Sequence, residues 1–156
     1  MSTATTIRKF LDARHVRCEE MHHPHTATSW ATAVSANVEP DCVAKAVVVG
    51  DERGLMLAVV PASHQVKIKQ LRRATGRNLH FVPEHVFAEM FHDCEIGAIP
   101  ALGQAYGMET VWDDCLADQT DIYFEAGDHE SLMHVSGRDF IDMMRSSRHD
   151  CISHRM

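Results

Sequence analysis

The chain has 156 residues, of which 45% are hydrophobic and 24% charged, and its formal net charge is −7. This length predicts one domain over residues 1–156, and the apolar content excludes a disordered chain. No apolar run approaches the roughly 18 residues that cross a bilayer, and the N-terminal segment lacks the apolar core of a secretion signal. The five cysteines form no CxxC pair. We therefore expect a cytoplasmic protein without disulfides and without membrane contact.

Hydrophobic periodicity and turn residues predict an irregular succession of helices and strands. Helices are expected over residues 5–14, from Thr26 or Thr28 to about 36, over 66–74, over 83–91 and over 138–144. In the second of these, Trp30, Ala33 and Val34 are expected to face inward. Strands are expected over residues 18–22, 43–49, 55–60, 79–82, 110–112, 121–125 and 132–135.

The strongest local prediction is a β-hairpin formed by residues 43–49 and 55–60, which are rich in strand-forming residues and flank a glycine-containing turn. Both strands are apolar on both faces, so the pair should be central and covered on each side. The polar tail from about residue 146 is expected to be loose. Together the elements predict a mixed α+β (α/β) single domain.

Lys45 is the first residue with possible chemistry, because it lies in the apolar strand 43–49 and shares a face with Val43 and Val47. An ammonium group there is costly unless it is paired, deprotonated or open to a cavity. Three interpretations remain: a structural carboxylate partner, a lysine stem that reaches the sheet edge, or a functional group in a cleft.

Two turns could approach a ligand closely. In residues 97–103, glycines allow backbone N–H groups to cradle a carbonyl or phosphate oxygen, and Pro100 stiffens the loop. Residues 127–130, Gly-Asp-His-Glu, separate two predicted strands. Each segment is also consistent with an ordinary turn.

A histidine cluster and a basic run complete the candidates. His22, His23 and His25 suggest a metal, but neighbouring strand residues point to opposite faces and no fourth ligand is evident. We therefore predict no metal and no cofactor, with a metal-dependent hydrolase as an alternative.

The segment 65–77 carries Lys67, Lys69, Arg72, Arg73 and Arg77 without an acid. It is either a solvated helix face or a docking patch for a polyanion, on a chain whose charge disfavours strong phosphate binding.

In their order and spacing, these segments resemble the YbaK and prolyl-tRNA-synthetase-associated editing domains over roughly residues 5–145. The matching segments are His23-Pro24, Ala44 to Val49 around Lys45, residues 66–76, residues 97–103, Asp113-Asp114 and Phe124 to Gly127. The resemblance implies a mixed, barrel-like sheet flanked by helices. It also implies a trans-editing deacylase that hydrolyses the ester of mischarged tRNA at its acceptor end, with an aminoacyl-tRNA synthetase as a further partner.

The resemblance also implies the roles of individual residues. Lys45 would be the residue most tied to activity, and the loop residues Gly97, Ala98, Ile99 and Ala101 would contact the scissile carbonyl and the ribose. Substrate-binding residues would be His23, Thr26, Pro100, Gly103, Gly127 and His129, and the five cations of segment 65–77 would bind tRNA. One departure is that the family loop often has proline four residues after the glycine, whereas here that residue is Ala101.

An alternative of a different class is a non-catalytic module that binds an amino acid, a nucleotide or a protein in the same cleft. Ligand-induced thermal stabilisation without turnover would distinguish it from a deacylase.

Overall fold

The computed structural model describes residues 4–95 and 97–156. Its helices are α1 (Thr5–Ala13), α2 (Ser29–Ser35), α3 (Ile68–Thr75), α4 (Glu84–Phe87) and α5 (Gly137–Met143). Its strands are β1 (Glu19–His22), β2 (Val43–Asp51), β3 (Gly54–Pro61), β4 (His64–Val66), β5 (His80–Phe81), β6 (Glu109–Asp113), β7 (Asp121–Glu125), β8 (Ser131–Ser136), β9 (Arg148–Asp150) and β10 (Ser153–Arg155). Short 3-10 turns cover Pro40–Cys42, Ala88–Phe91, Gly103–Tyr106 and Asp114–Asp118. Within the described residues, none of the helices combines the length and the apolar composition that a bilayer-spanning segment needs.

The main sheet has eight strands, in the order β1-β8-β7-β2-β3-β6-β9, and β5 pairs with β2 beside this path. The central pairing is the antiparallel β2–β3 hairpin, in register from Ala44↔Pro61 to Asp51↔Gly54. Strand β2 pairs in parallel with β7, and β3 pairs in parallel with β6. The prediction of a mixed α+β domain built around this hairpin is confirmed.

Strand β2 changes its partner along the edge opposite β3. Val43 and Ala44 pair with β7, while Val49 and Gly50 pair with β5. Between these pairs, residues 45–47 have no strand partner on this side within the described chain. The result is a gap in the middle of the sheet, which we call the β2 gap.

Both faces of the hairpin are covered, as predicted. The larger core cluster includes Ile7, Leu57, Phe124 and Phe140 and also contains Ala44 and Val48 of β2. The opposite face packs Val49 and Val60 against Leu71 of α3 in a second cluster. Apolar β2 residues therefore lie in both layers, and the strand that borders the gap is buried on both faces.

The predicted orientation of α2 is partly wrong. Thr28 caps the helix by accepting a hydrogen bond from the Ala31 N–H, as one of the two predicted starts. However, Trp30 and Val34 are 48% and 64% exposed, whereas Thr32 is fully buried together with Ala33. The helix turns this polar side chain inward because the Thr32 hydroxyl donates to the buried Glu125 carboxyl.

The expectation of a loose tail is wrong. Strand β9 pairs in parallel with β6, and β10 pairs antiparallel with β4. The side chain of Ile152 is fully buried, and its N–H donates to Asp113 Oδ2 over 3.0 Å. This long-range acceptor and the buried isoleucine hold the segment, despite its polar composition. The predicted domain range of 1–156 also includes residues 1–3 and 96, which lie outside the described residues.

Candidate active site

A buried polar network joins the segment after β1, helix α2 and the end of β7. The Thr32 hydroxyl donates to Glu125 Oε1 over 2.8 Å and lies 2.5 Å from the Thr26 hydroxyl. Since the Thr32 hydrogen is used by Glu125, Thr26 is the donor in the second bond. Glu125 is only 2% exposed, and burial raises the pKa of its carboxyl above the usual range.

His23 lies beside this network and is only 7% exposed. Its Nδ1 lies 2.8 Å from the carbonyl oxygen of Pro24, so Nδ1 carries a proton and donates it to that oxygen. His23 Nε2 and Glu125 Oε2 are both buried and have no hydrogen-bond partner among the described residues. The imidazole also acts on the carboxyl, because His23 opposes the rise in the Glu125 pKa. Two polar atoms on this side are therefore able to hold a small polar group.

The turn at residues 127–131 is anchored to the same region. Asp128 Oδ1 accepts from the N–H groups of Glu130 and Ser131 over 3.0 and 2.8 Å. The carbonyl of Glu130 accepts from the His23 N–H over 2.8 Å, and that of His129 accepts from the Thr26 N–H over 3.3 Å. The predicted residues His23, Thr26 and His129 are thus brought together.

Gly97 lies directly against His129. A Cβ atom at Gly97 would be 3.2 Å from His129 Cε1, and the glycine has a φ of +83°. His129 itself has a φ of +60° and is buried. Its imidazole also lowers the pKa of Glu125 against the effect of burial. His129 therefore connects the glycine loop with the Glu125 network.

The glycine loop borders the β2 gap. Gly97 and Ile99 line a cavity of about 220 Å³, whose other walls are Ala46, Val47, Val48, Phe81, Val82, Glu84 and Phe87. Ala98, Pro100 and Ala101 are buried. The Ala98 N–H donates to the Glu95 carbonyl over 3.1 Å, so it is not available to a ligand. Of the predicted loop residues, Gly97 and Ile99 are those that face the cavity.

Lys45 lies in β2 opposite Val60 of β3. The parallel register with β7 ends at Ala44↔Phe124, so the next residues along the two strands are Lys45 and Glu125, on one face of the sheet. Burial lowers the pKa of the Lys45 ammonium group. Within residues 4–95 and 97–156 this group has no ion pair, so no described carboxylate fixes it in a structural role. Lys45 does not line the cavity beside Ala46, although it borders the β2 gap.

Two predicted substrate-binding residues have structural roles. A Cβ atom at Gly103 would collide with Thr110 Oγ1 and would be 2.8 Å from the Met108 carbonyl, so Gly103 packs against β6. Gly127, with a φ of +102°, could not take a side chain without meeting Ala4 at 2.9 Å. It shapes the turn, and its carbonyl accepts from the Glu95 N–H over 2.7 Å.

The predicted basic patch is divided by the structure. Arg77 binds Asp51 through two nitrogens and also contacts Glu109, and its side chain is only 9% exposed. Arg72 donates to the Leu79 carbonyl over 2.8 Å. Lys69 and Arg73 are exposed on α3, and Lys67 is half-buried before it. Arg77 is therefore a structural residue and not a surface cation.

Glu125 and Thr32 were not predicted as site residues. Their hydrogen bond joins positions 93 residues apart, so local periodicity does not reveal it. A threonine among apolar helix residues and a glutamate at the end of an apolar strand were the available signals. Among the described residues, His22, His23 and His25 form no common ligand group, and His23 is buried whereas His22 and His25 are exposed.

Comparison with known proteins supplies the context for this site. The family model described as the aminoacyl-tRNA editing domain matches residues 23–143. No curated protein sequence matched the chain significantly.

Similar solved structures show the same fold. The hypothetical protein APE2540 superposes with a TM-score of 0.84 at 17% identity, over 96% of this chain and 99% of that one. A candidate trans-editing enzyme for prolyl-tRNA synthetase superposes with a TM-score of 0.83 at 17% identity, over 99% and 98% of the two chains. A candidate signal transduction protein from Marinobacter aquaeolei VT8 has a TM-score of 0.78 at 13% identity, and the match covers 97% of this chain but 31% of that one.

Proposed function

Because the chain belongs to the aminoacyl-tRNA editing domain family, we propose that it is a trans-acting deacylase, which hydrolyses the ester between an amino acid and the 3′ end of mischarged tRNA. The observation that carries this proposal is the convergence of Gly97, His129, His23 and Glu125 beside the β2 gap. We place the reaction in the cytoplasm, with the synthetase that mischarges the tRNA as a partner. The similarity to a candidate trans-editing enzyme for prolyl-tRNA synthetase makes that synthetase the first partner to test.

The amino-acid side chain would occupy the cavity beside Gly97 and Ile99. Its volume of about 220 Å³ is below the roughly 300–1,000 Å³ of sites for drug-sized ligands. The walls include Ala46, Val48 and Phe87. This volume fits an amino-acid side chain, and the shape of the walls would set which side chains are accepted.

Hydrolysis in this site would not need a side-chain nucleophile. The water oxygen bonds to the ester carbon, the bond to the ribose oxygen breaks, and that oxygen leaves with a proton. His23 Nε2 and Glu125 Oε2 are the polar atoms that would hold the attacking water. Lys45 would bind the substrate across the β2 gap and stabilise the negative charge that develops on the carbonyl oxygen.

The proposal is tested with a panel of mischarged tRNAs and three proteins: wild type, Lys45→Met and Lys9→Met. Lys9 is an exposed residue of α1 and serves as the matched control. We expect wild type and Lys9→Met to release at least one amino acid, and Lys45→Met to be slower by about 100-fold or more. Thermal denaturation shows whether each variant is folded. Thermal stabilisation by amino acids without ester loss on any tRNA would instead identify a binding module.

A further inference from the structure

A second cluster of reactive side chains lies where the C-terminal segment meets the sheet. One ligand atom each from His64, Asp113 and Cys115 lie within 4.8 Å of one another. His64 begins β4, Asp113 ends β6, and Cys115 lies in the following 3-10 turn. Three different donor types, a ring nitrogen, a carboxylate oxygen and a sulfur, therefore converge from separate segments.

We propose that His64, Asp113 and Cys115 form a zinc site, with water as the fourth ligand. In a tetrahedral zinc site with bonds of about 2.0–2.3 Å, ligand atoms are roughly 3.3–3.8 Å apart. The observed limit of 4.8 Å thus requires a contraction of about 1 Å to reach this geometry. Thiolate and imidazole ligands favour zinc over magnesium or calcium, which prefer oxygen.

The surroundings already orient the ligands. Asp113 Oδ1 accepts from the Cys115 N–H over 3.0 Å, and Oδ2 accepts from Ser153 Oγ over 2.6 Å. His64 Nδ1 lies 2.9 Å from the same Ser153 hydroxyl. Such outer hydrogen bonds are typical of metal sites, where they fix the ligands. A carboxylate has about four acceptor positions, so these bonds leave room for a metal.

The charges of the ligands would match that of the metal. When zinc binds, the Cys115 thiol releases its proton to solvent, and the thiolate and the Asp113 carboxylate together neutralise Zn²⁺. Cys115 is a free cysteine. The nearby cation Arg155 is paired with Asp41 at 2.9 and 3.1 Å. Lys45 is a further cation whose charge reaches His64, and it opposes the binding of a metal.

Zinc at this position would join β4, β6 and the segment 151–153. Because the site is formed only in the folded chain, bound zinc would add to the stability of the native state. This role does not depend on the deacylase activity.

The test uses full-length protein stripped with a chelator and then titrated with Zn²⁺ or Co²⁺. We expect one tightly bound equivalent of zinc, a raised Tm, and a thiolate-to-cobalt charge-transfer band with tetrahedral d–d bands. Cys115→Ser should lose the charge-transfer band and weaken zinc binding by about 100-fold or more, whereas Cys18→Ser should keep both. Cys18 is the matched control because it is also a free, half-buried cysteine.

A second pair of variants keeps the test decisive if Cys115→Ser does not fold. His64→Gln should lose the bound equivalent, and His85→Gln, at an exposed position of α4, should retain it. The proposal is overturned if wild type binds no zinc equivalent that survives competition with a chelator. It is also overturned if the cobalt spectrum is the same in wild type and the site variants.

Discussion

Replacing Gly97 by alanine tests whether the contact between the glycine loop and His129 matters for function. Gly97 has a φ of +83°, and a new Cβ would be 3.2 Å from His129 Cε1 and 3.4 Å from Nε2. Gly107 is the matched control, because its φ is +67° and a Cβ there would have no atom within 4 Å. The two substitutions therefore share a backbone penalty but differ in their effect on the histidine.

The expected magnitudes follow from this difference. A left-handed alanine costs about 1–2 kcal/mol, and for a domain of this size each kcal/mol lowers the Tm by roughly 2–4 °C. Both variants should show this loss. Only at Gly97 must the His129 ring move, by a few tenths of an ångström. Because a misplacement of about 1 Å can reduce a rate 100-fold, we expect Gly97→Ala to lower kcat/KM for deacylation by about 10-fold.

The assay is single-turnover deacylation of the best mischarged tRNA, with thermal denaturation of the same samples. Gly107→Ala should keep the wild-type rate at temperatures where it is folded. If Gly97→Ala deacylates as fast as Gly107→Ala, the loop and His129 do not act together, and the proposed site is wrong.

Three further predictions concern stability. Burial raises the folded-state pKa of Glu125 above its unfolded value. The free energy of unfolding should therefore fall as the pH rises from the unfolded-state pKa to the folded-state pKa. The variant Glu125→Gln should avoid this loss, gaining about 1.4 kcal/mol over wild type per unit of pKa difference; parallel urea-unfolding profiles across pH would contradict this. Ile152→Ala should lower the free energy of unfolding by about 2–5 kcal/mol because the side chain is fully buried. Met156→Ala, at an exposed residue, should change it little. Equal Tm values for the two variants would indicate that the C-terminal segment is loose after all. Gly103→Ala should lower stability by about 1–3 kcal/mol through its collision with Thr110, and calorimetry showing a wild-type Tm would contradict a close contact between Gly103 and β6.

The sequence predicted the elements that depend on local composition. The β2–β3 hairpin was recognised because Val47, Val48 and Val49 favour strands on both faces. The orientation of α2 was not predicted correctly, because an inward threonine is stable only when a residue of β7 accepts its hydrogen bond. The two C-terminal strands have three residues each and depend on Asp113, which local patterns cannot reveal.

The sequence predicted some residues of the site and missed others. The positions of His23, Gly97 and His129 came from ordered motifs, and the structure brings these residues together. Glu125 was missed because its role depends on burial and on Thr32, which are properties of the folded chain. The burial of the Arg77 side chain was missed for the same reason, because its partner Asp51 lies 26 residues away in the chain.

Residues 45–47 of β2, which have no strand partner on one side within the described chain, bear on how the cavity proposed for the amino-acid side chain could be altered. Main-chain amide and carbonyl groups at residues 45–47 keep their positions whatever side chains are attached, because β3 holds the strand on its other edge. A larger residue at Ala46 or a smaller one at Val48 would resize the cavity while leaving those groups in place. Under the proposed function, the size of the amino-acid cavity can therefore be changed while the main-chain groups that border the β2 gap stay in place.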